Sequence, residues 1–415
     1  VGTYVDVQGA SAATPASVGH FVATTGATAQ TTAAVGTYVD VQGASAATPA
    51  SVGHFVDTVG ASSQTAAPPG YYVDHLGATA PTITPVGTYT DAAGYSAPIV
   101  TPLGYYTLEG ATAPIALPPG MTVIYGDLAA NSIAAPDSAD YLIASSDGDD
   151  TIAGAGGNDI LIGGAGRDTA DYSSASSAVT VNLVLMTAQD TGGAGIDTLS
   201  TIENLVGSSL NDQLTGSSEA NVLDGGDGND TLSGAGGNDT VQGGNGNDNI
   251  HGGYRHDNLA GGNGSDRLYG DNGNDRLYGG SGSDRLSGGD GNDTLAGNGG
   301  NDTFFFSTAL DASTNVDTIN DFSNVAGNND GIRLSHTVFS AFSAGHTLTN
   351  LEFVSGAGVT EATTADQHII YDTATGWLYY DQDGSGNAHS AIHFATVNQS
   401  GGGHPVLTAA DFVVF

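Results

Sequence analysis

From Gly207 to Phe305 the chain keeps a strict nine-residue period, and no other feature constrains its fold so tightly. The unit reads Gly-Gly-x-Gly-x-Asp-x-U-x, where U is a large apolar residue, and Gly225–Ser233 shows it best. Eleven units run unbroken here, and three more fill residues 145–171. The U positions are Ile152, Leu161, Leu214, Leu223, Leu232, Val241, Ile250, Leu259, Leu268, Leu277, Leu286, Leu295 and Phe304, with Ala170 the sole lapse. The first six positions make a turn, because glycine permits positive φ and close approach of stacked backbones. The last three make a very short strand in which only U points inward. Two units then close an 18-residue coil, so units n and n+2 stack on the same side. A generic Gly/Asp-rich linker would not keep an apolar residue at every ninth place.

Stacking sets the Asp of one unit beside the Asp two units on. The expected pairs are Asp230/Asp248, Asp239/Asp257, Asp248/Asp266, Asp257/Asp275, Asp266/Asp284, Asp275/Asp293 and Asp284/Asp302. Bare carboxylates so placed would repel. With turn carbonyls aimed into the same gap they make an all-oxygen cage for a hard cation. Ca²⁺ suits it better than Mg²⁺, which demands strict octahedral geometry and retains water. Candidate ligands for several Ca²⁺ ions are these Asp residues with Asp150, Asp159, Asp168 and Asp212. The turns add Gly226, Gly228, Gly237, Gly244, Gly246, Gly262, Gly264, Gly273, Gly280, Gly282, Gly289 and Gly291. Two units depart from the pattern: Arg255 stands where Gly is wanted, and Asn221 where Asp is wanted. The sites that use those turns are expected to be weakened.

Charge points the same way. The 415 residues carry a formal net charge of -38, with 44 acidic residues against six basic ones, all Arg. Compaction works against that repulsion, and a divalent cation would relieve it. Nucleic acid is disfavoured as a partner, because no basic patch meets phosphates. Arg267, Arg276 and Arg285 follow the Asp in three successive units and should point outward, either as local charge balance or as a contact for anionic glycan or lipopolysaccharide. There is no Cys, so metal must replace disulfides as the staple. No apolar run reaches membrane-spanning length. The opening residues lack a charged n-region followed by an apolar h-region, and the sequence begins inside a repeat, as a processed or partial chain would.

The N-terminal part, 1–119, repeats every 17 residues, from Val1, Val18, Val35, Val52, Pro69, Val86 and Leu103. Each unit carries a Gly and then an aromatic: Tyr4, Phe21, Tyr38, Phe55, Tyr72, Tyr89, Tyr106. A Gly-Ala step follows in most, as at Gly9-Ala10 and Gly26-Ala27. The units read as a short strand, a Gly turn and a second Thr/Ala-rich extended piece. So small a unit must stack on its neighbours, as a thin solenoid or as linked hairpins. The phrase resembles small cysteine-rich extracellular repeats with every Cys missing. The remaining boundaries are 120–171 for the first short roll block, 172–206 for a spacer, 207–305 for the main block and 306–415 for a β-rich tail. In the tail, Asp317–Phe322, Asp330–Leu334, Tyr371-Asp372 and Leu378–Gly384 are short apolar pieces split by turns, which predicts antiparallel strands.

The nonapeptide block resembles the RTX (repeats-in-toxin) family, whose repeat forms a Ca²⁺-binding parallel β-roll. The resemblance covers about 145–305. It implies an all-β protein: N-terminal β repeats, a calcium-bound parallel β-roll, and a β-rich C-terminal segment like that found after RTX blocks in secreted metalloproteases. It also implies export through a one-step type I channel by an uncleaved C-terminal signal. Asp411-Phe-Val-Val-Phe415 is similar to the acidic-then-apolar ending of that secretion class. The expected location is extracellular or at the cell surface.

Signs of catalysis are sparse. There is no His-Glu-x-x-His and no Gly-x-Ser-x-Gly. His389 and His393 are four apart in strand-like sequence. His20 and His54 are copies made by duplication and read as scaffold. Asp381–Gly386 opens like an EF-hand loop, but its twelfth position is Ile392, so it reads as a hairpin turn. No catalytic residue is assigned. The expected function is a non-enzymatic calcium-dependent structural protein that self-associates into a filament, a surface lattice or a biofilm-matrix adhesin. One alternative is a glycan- or surface-binding module presented by the roll. Another is the C-terminal part of a larger secreted toxin or enzyme.

Overall fold

In the computed structural model every second strand of the nonapeptide block pairs in parallel. Thr231–Gly236 lies against Asn249–Tyr254 with Leu232 opposite Ile250. Val222–Asp227 lies against Thr240–Asn245 with Leu223 opposite Val241. The 18-residue offset sends alternate units to two facing sheets. The structure describes residues 1–6, 12–127, 129–325, 327–386 and 388–415. Among them the sheets hold 14 and nine strands, and a single 3-10 turn, Ala409–Asp411, is the only helix. The chain is all-β.

The strands are six residues long rather than the expected three, as in Arg285–Asp290. Pairing runs Leu232↔Ile250 and Ser233↔His251, skips the first glycine, and resumes at Ala235↔Gly253. The ladder therefore bends at that glycine instead of ending there. Only U turns inward on the first arm, and every U side chain, from Ile152 to Phe304, is at most 1 % exposed. Burying one Leu this way contributes about 2 kcal/mol. Repetition along the stack makes these increments the main apolar stabilisation of the roll.

Packing divides the chain into two units, the first comprising residues 1–131, 142–149 and 164–166, the second the rest. In the first, each 17-residue repeat is a minimal hairpin. Thr3–Tyr4 pairs antiparallel with Thr14–Pro15, and Thr37–Tyr38 with Thr48–Pro49. Seven such pairs occur among the described residues. Neighbours are tied by backbone bonds: Gly19 N–H donates to the Val39 carbonyl, and Val22 N–H to the Ala44 carbonyl. The core is narrow, built from Ala16, Ala33, Ala50 and Ala67 with Val22, Val39, Val56 and Val73. Thr84, Thr90 and Thr107 take over these buried places in later repeats. Thr90 Oγ1 accepts from Gly70 N–H and donates to the Tyr71 carbonyl. The linked-hairpin arrangement thus holds, and the Gly9-Ala10 step lies outside the described residues.

In the second unit the spacer and the tail are part of the stack. Thr180–Asn182 opens the nine-stranded sheet by pairing with Gln213–Thr215. Asp317–Ile319 extends the 14-stranded sheet and Gly331–Leu334 the other, both in parallel. Phe412–Val414 then pairs in parallel with Gly331–Leu334. The expected antiparallel pairing joins Ile369–Asp372, Trp377–Tyr380 and Ile392–Val397, and a short hairpin pairs Asn324–Val325 with Asn328–Asn329. Aromatic rings fill this end: Phe306 meets Phe394 edge-on at 5.2 Å, and Phe339 meets Tyr380 at 5.0 Å. Large rings replace the single U residue because the sheets no longer have a nine-residue turn to hold them together.

Candidate metal centre

From Asp248 to Asp302 each repeat Asp is tied to the stack through one oxygen. Asp230 N–H donates to Oδ1 of Asp248 at 2.8 Å, and Asp248 N–H donates to Oδ1 of Asp266 at 2.8 Å. The same bond joins Asp239 to Asp257, Asp257 to Asp275, Asp266 to Asp284, Asp275 to Asp293 and Asp284 to Asp302. All seven expected pairs are in register. The first block repeats the arrangement, with Asp150 N–H donating to Oδ1 of Asp168 at 2.9 Å.

The second oxygen is the anomaly. In Asp159, Asp230, Asp239, Asp248, Asp257, Asp266, Asp275, Asp284, Asp293 and Asp302, Oδ2 is buried with no hydrogen-bond donor in reach. It faces the bare Cα of its own unit's first glycine. A Cβ on Gly225 would strike Oδ2 of Asp230 and lie 2.6 Å from the Gly243 carbonyl oxygen. Gly243 repeats this with Asp248 and the Gly261 carbonyl, and Gly261 with Asp266 and the Gly279 carbonyl. A carboxylate oxygen and a carbonyl oxygen thus share one cradle, where neither can satisfy the other. A proton or a cation reconciles them.

Burial accordingly raises these groups: Asp159, Asp230, Asp239 and Asp284 to about 7, and Asp275 to about 8. Loss of solvation is the chief cause, the accepted N–H opposes it, and the stacked neighbouring carboxylates add to it. A carboxylate held near such values at neutral pH favours a bound cation over a bare charge.

The turn glycines supply the shape. Gly244 has φ 108° and Gly246 φ 132°, and a side chain on either would overlap the carbonyl of Gly226 or Gly228 in the coil below. Gly226, Gly228, Gly237, Gly262, Gly264, Gly273, Gly280, Gly282, Gly289 and Gly291 share the positive φ. Among the described residues no three His, Asp or Glu side chains converge on one point. A cation here would therefore take one or two carboxylates and draw its remaining oxygens from the turn carbonyls, the donor set of Ca²⁺.

The two departures behave differently. Arg255 adopts φ 83°, so its backbone reproduces the glycine turn, and Asp239, Asp257 and Asp275 stay in register around it. Asn221 satisfies itself: its amide donates to the Glu203 carbonyl and its oxygen accepts from Ser217 N–H. Asp212 also stands apart, because Ser208 N–H and Ser208 Oγ already occupy both its oxygens.

The ladder reaches residues that the nonapeptide pattern omits. Asp159 N–H donates to Asp197, Asp293 N–H to Asp317, and Asp302 N–H to Asp330, at 3.0–3.1 Å. All three acceptors are buried. Each opens an Asp-x-U triplet, Asp197-Thr-Leu, Asp317-Thr-Ile and Asp330-Gly-Ile, and that shorter signature would have found them.

Four stretches, 137–170, 206–241, 242–277 and 278–307, match the family of RTX calcium-binding nonapeptide repeats. The chain carries RTX repeats. Repeats of this family bind calcium ions. No curated protein is similar enough to the chain to count as a relative. An RTX β-roll is typically a non-catalytic fold. His389 and His393 form no shared site, since His393 Nε2 contacts the Ala395 carbonyl and stacks its ring on Trp377. Among the described residues no helix is long and apolar enough to cross a membrane.

Proposed function

We propose that this calcium-binding β-roll protein is a structural component of the bacterial surface or extracellular matrix, and that its 17-residue array self-associates. The observation that carries this reading is a row of outward apolar residues. Val1, Val18, Val35 and Val52 open successive repeats and are 44–65 % exposed, and Leu103 is fully exposed. A soluble chain gains nothing from showing an apolar residue at the head of five of its seven repeats. A second copy would cover that row, and the two-residue hairpin strands leave free edges for backbone pairing.

The roll gates the process. In the low calcium of the cytosol the Asp ladder repels itself and the chain stays threadable through a type I channel. Outside, calcium binds only the rolled state and draws folding forward by mass action. The array is then outside the cell and able to associate.

Negative-stain microscopy with light scattering, in millimolar calcium and then in chelator, tests the reading. Filaments or sheets should form only with calcium and should be lost when Val18, Val35 and Val52 are all changed to Lys. A calcium-folded monomer that never assembles would contradict it.

A further inference from the structure

On the outer face of the nine-stranded sheet two aromatic residues flank a small one. Tyr269 pairs in register with Ser287. On the next strand Thr303 lies opposite Arg285 and Phe304 opposite Leu286, and Phe305 follows Phe304. Strands repeat every 4.7–4.9 Å, so Tyr269 and Phe305 stand roughly 10 Å apart across Ser287. Each wall is held by a further ring, and Phe415 also lines the slot. His251 stacks on Tyr269 at 4.5 Å and 10°, and Phe415 meets Phe305 edge-on at 5.4 Å. Between them is a hollow of about 250 Å³ whose floor is Ser287 and whose side is Arg285.

Arg285 is exposed, and Arg267 lies beside it in register. Among the described residues neither makes an ion pair, in a chain with 44 acidic residues. A cationic, ring-walled slot on a polyanion is complementary to something the rest of the surface repels. A puckered sugar ring is thicker than a flat one, and a gap of roughly 10 Å admits one such ring between the walls and not two. A guanidinium fork is matched to a planar carboxylate.

We propose that this slot binds a carboxylate-bearing sugar ring, of the uronic acid class. The faces of the ring lie against Tyr269 and Phe305, and its carboxylate pairs with the Arg285 guanidinium, with Arg267 adding charge. The site is separate from the cation cradles and from the 17-residue array, and it stands whether or not the array assembles.

The test is calorimetry on the full chain at a fixed, saturating calcium level, with digalacturonic acid, its dimethyl ester and neutral galactobiose. The acid should bind saturably, and the ester and neutral sugar at least about tenfold more weakly, the worth of one charge-assisted pair. Arg285→Thr, which copies Thr303, and Ser287→Tyr, which fills the slot, should each weaken the acid by a similar factor. Both positions face outward, so the calcium-induced circular dichroism signal should be unchanged. Absence of binding by the unaltered chain overturns the proposal. So does binding that both variants leave intact, which would put the acid on the roll's calcium. Ser287→Tyr abolishing self-association in sedimentation while sparing sugar binding would also overturn it, in favour of a protein contact.

Discussion

Asp248 N–H donates to Oδ1 of Asp266 at 2.8 Å, and Oδ2 of Asp266 is left buried without a donor. One oxygen therefore sets the register and the other awaits a cation. Asp266→Asn keeps the first role and removes the second. Its calcium midpoint, followed by far-ultraviolet circular dichroism, should rise severalfold, with coupling to the sites of Asp248 and Asp284. An unchanged midpoint would mean that Oδ2 holds no ion.

Acidity should substitute for calcium. Asp230, Asp239 and Asp284 titrate at about 7 in the roll against an ordinary 3.8. The folded value is the higher one, so the rolled state holds more protons than the unfolded chain. That contribution is complete below about 4 and is lost as pH rises through about 6 to 8, the span covered by Asp266 at about 6 and Asp275 at about 8. Calcium-depleted protein should gain β-structure on acidification and lose it by mildly alkaline pH. Dichroism that stays flat across that window would refute the burial argument.

Arg255 carries left-handed backbone strain at φ 83°. Arg255→Gly should stabilise the calcium-loaded roll by about 1 kcal/mol, the usual cost of that region for a side chain. Gly246→Ala should do the reverse and by more, because its Cβ would overlap the Gly228 carbonyl. Thermal melts at fixed calcium compare the two, and the same sign for both would contradict the turn geometry.

Leu268 is fully buried between the sheets. Leu268→Ala should cost about 2–5 kcal/mol. Exposed Tyr278, the residue after a U position in the next unit, should tolerate Ala within about 0.5 kcal/mol. Chemical denaturation in saturating calcium separates them.

The nine-residue period was enough to place the inward side chain of each repeat unit and to pair Asp230 with Asp248 through Asp284 with Asp302. Both follow from a repeat that closes on itself. What escaped the sequence lies where the period breaks. Asp197, Asp317 and Asp330 keep only the Asp-x-U triplet, so their place in the ladder depends on strands that return after irregular loops. The parallel pairing of Asp317–Ile319 and Gly331–Leu334 was hidden for the same reason: alternating apolar pieces look alike in either direction. Arg255 keeps the turn's positive φ because glycine preference is a matter of cost, and a stack of intact neighbours can impose the conformation. The bend at each first glycine was invisible because pairing there depends on the coil above. Asp212 follows from its position, but its bonds to Ser208 do not, because Ser208 stands where the unit's second Gly is wanted.

The most direct measurement is a calcium titration of metal-free protein at neutral pH, read by circular dichroism and by counting bound ions with native mass spectrometry. The account predicts a cooperative gain of β-structure at free calcium of about 10⁻⁴–10⁻³ M, with several ions bound per chain and magnesium unable to replace them. A roll already folded in chelator at that pH, or one that folds without taking up ions, would contradict it.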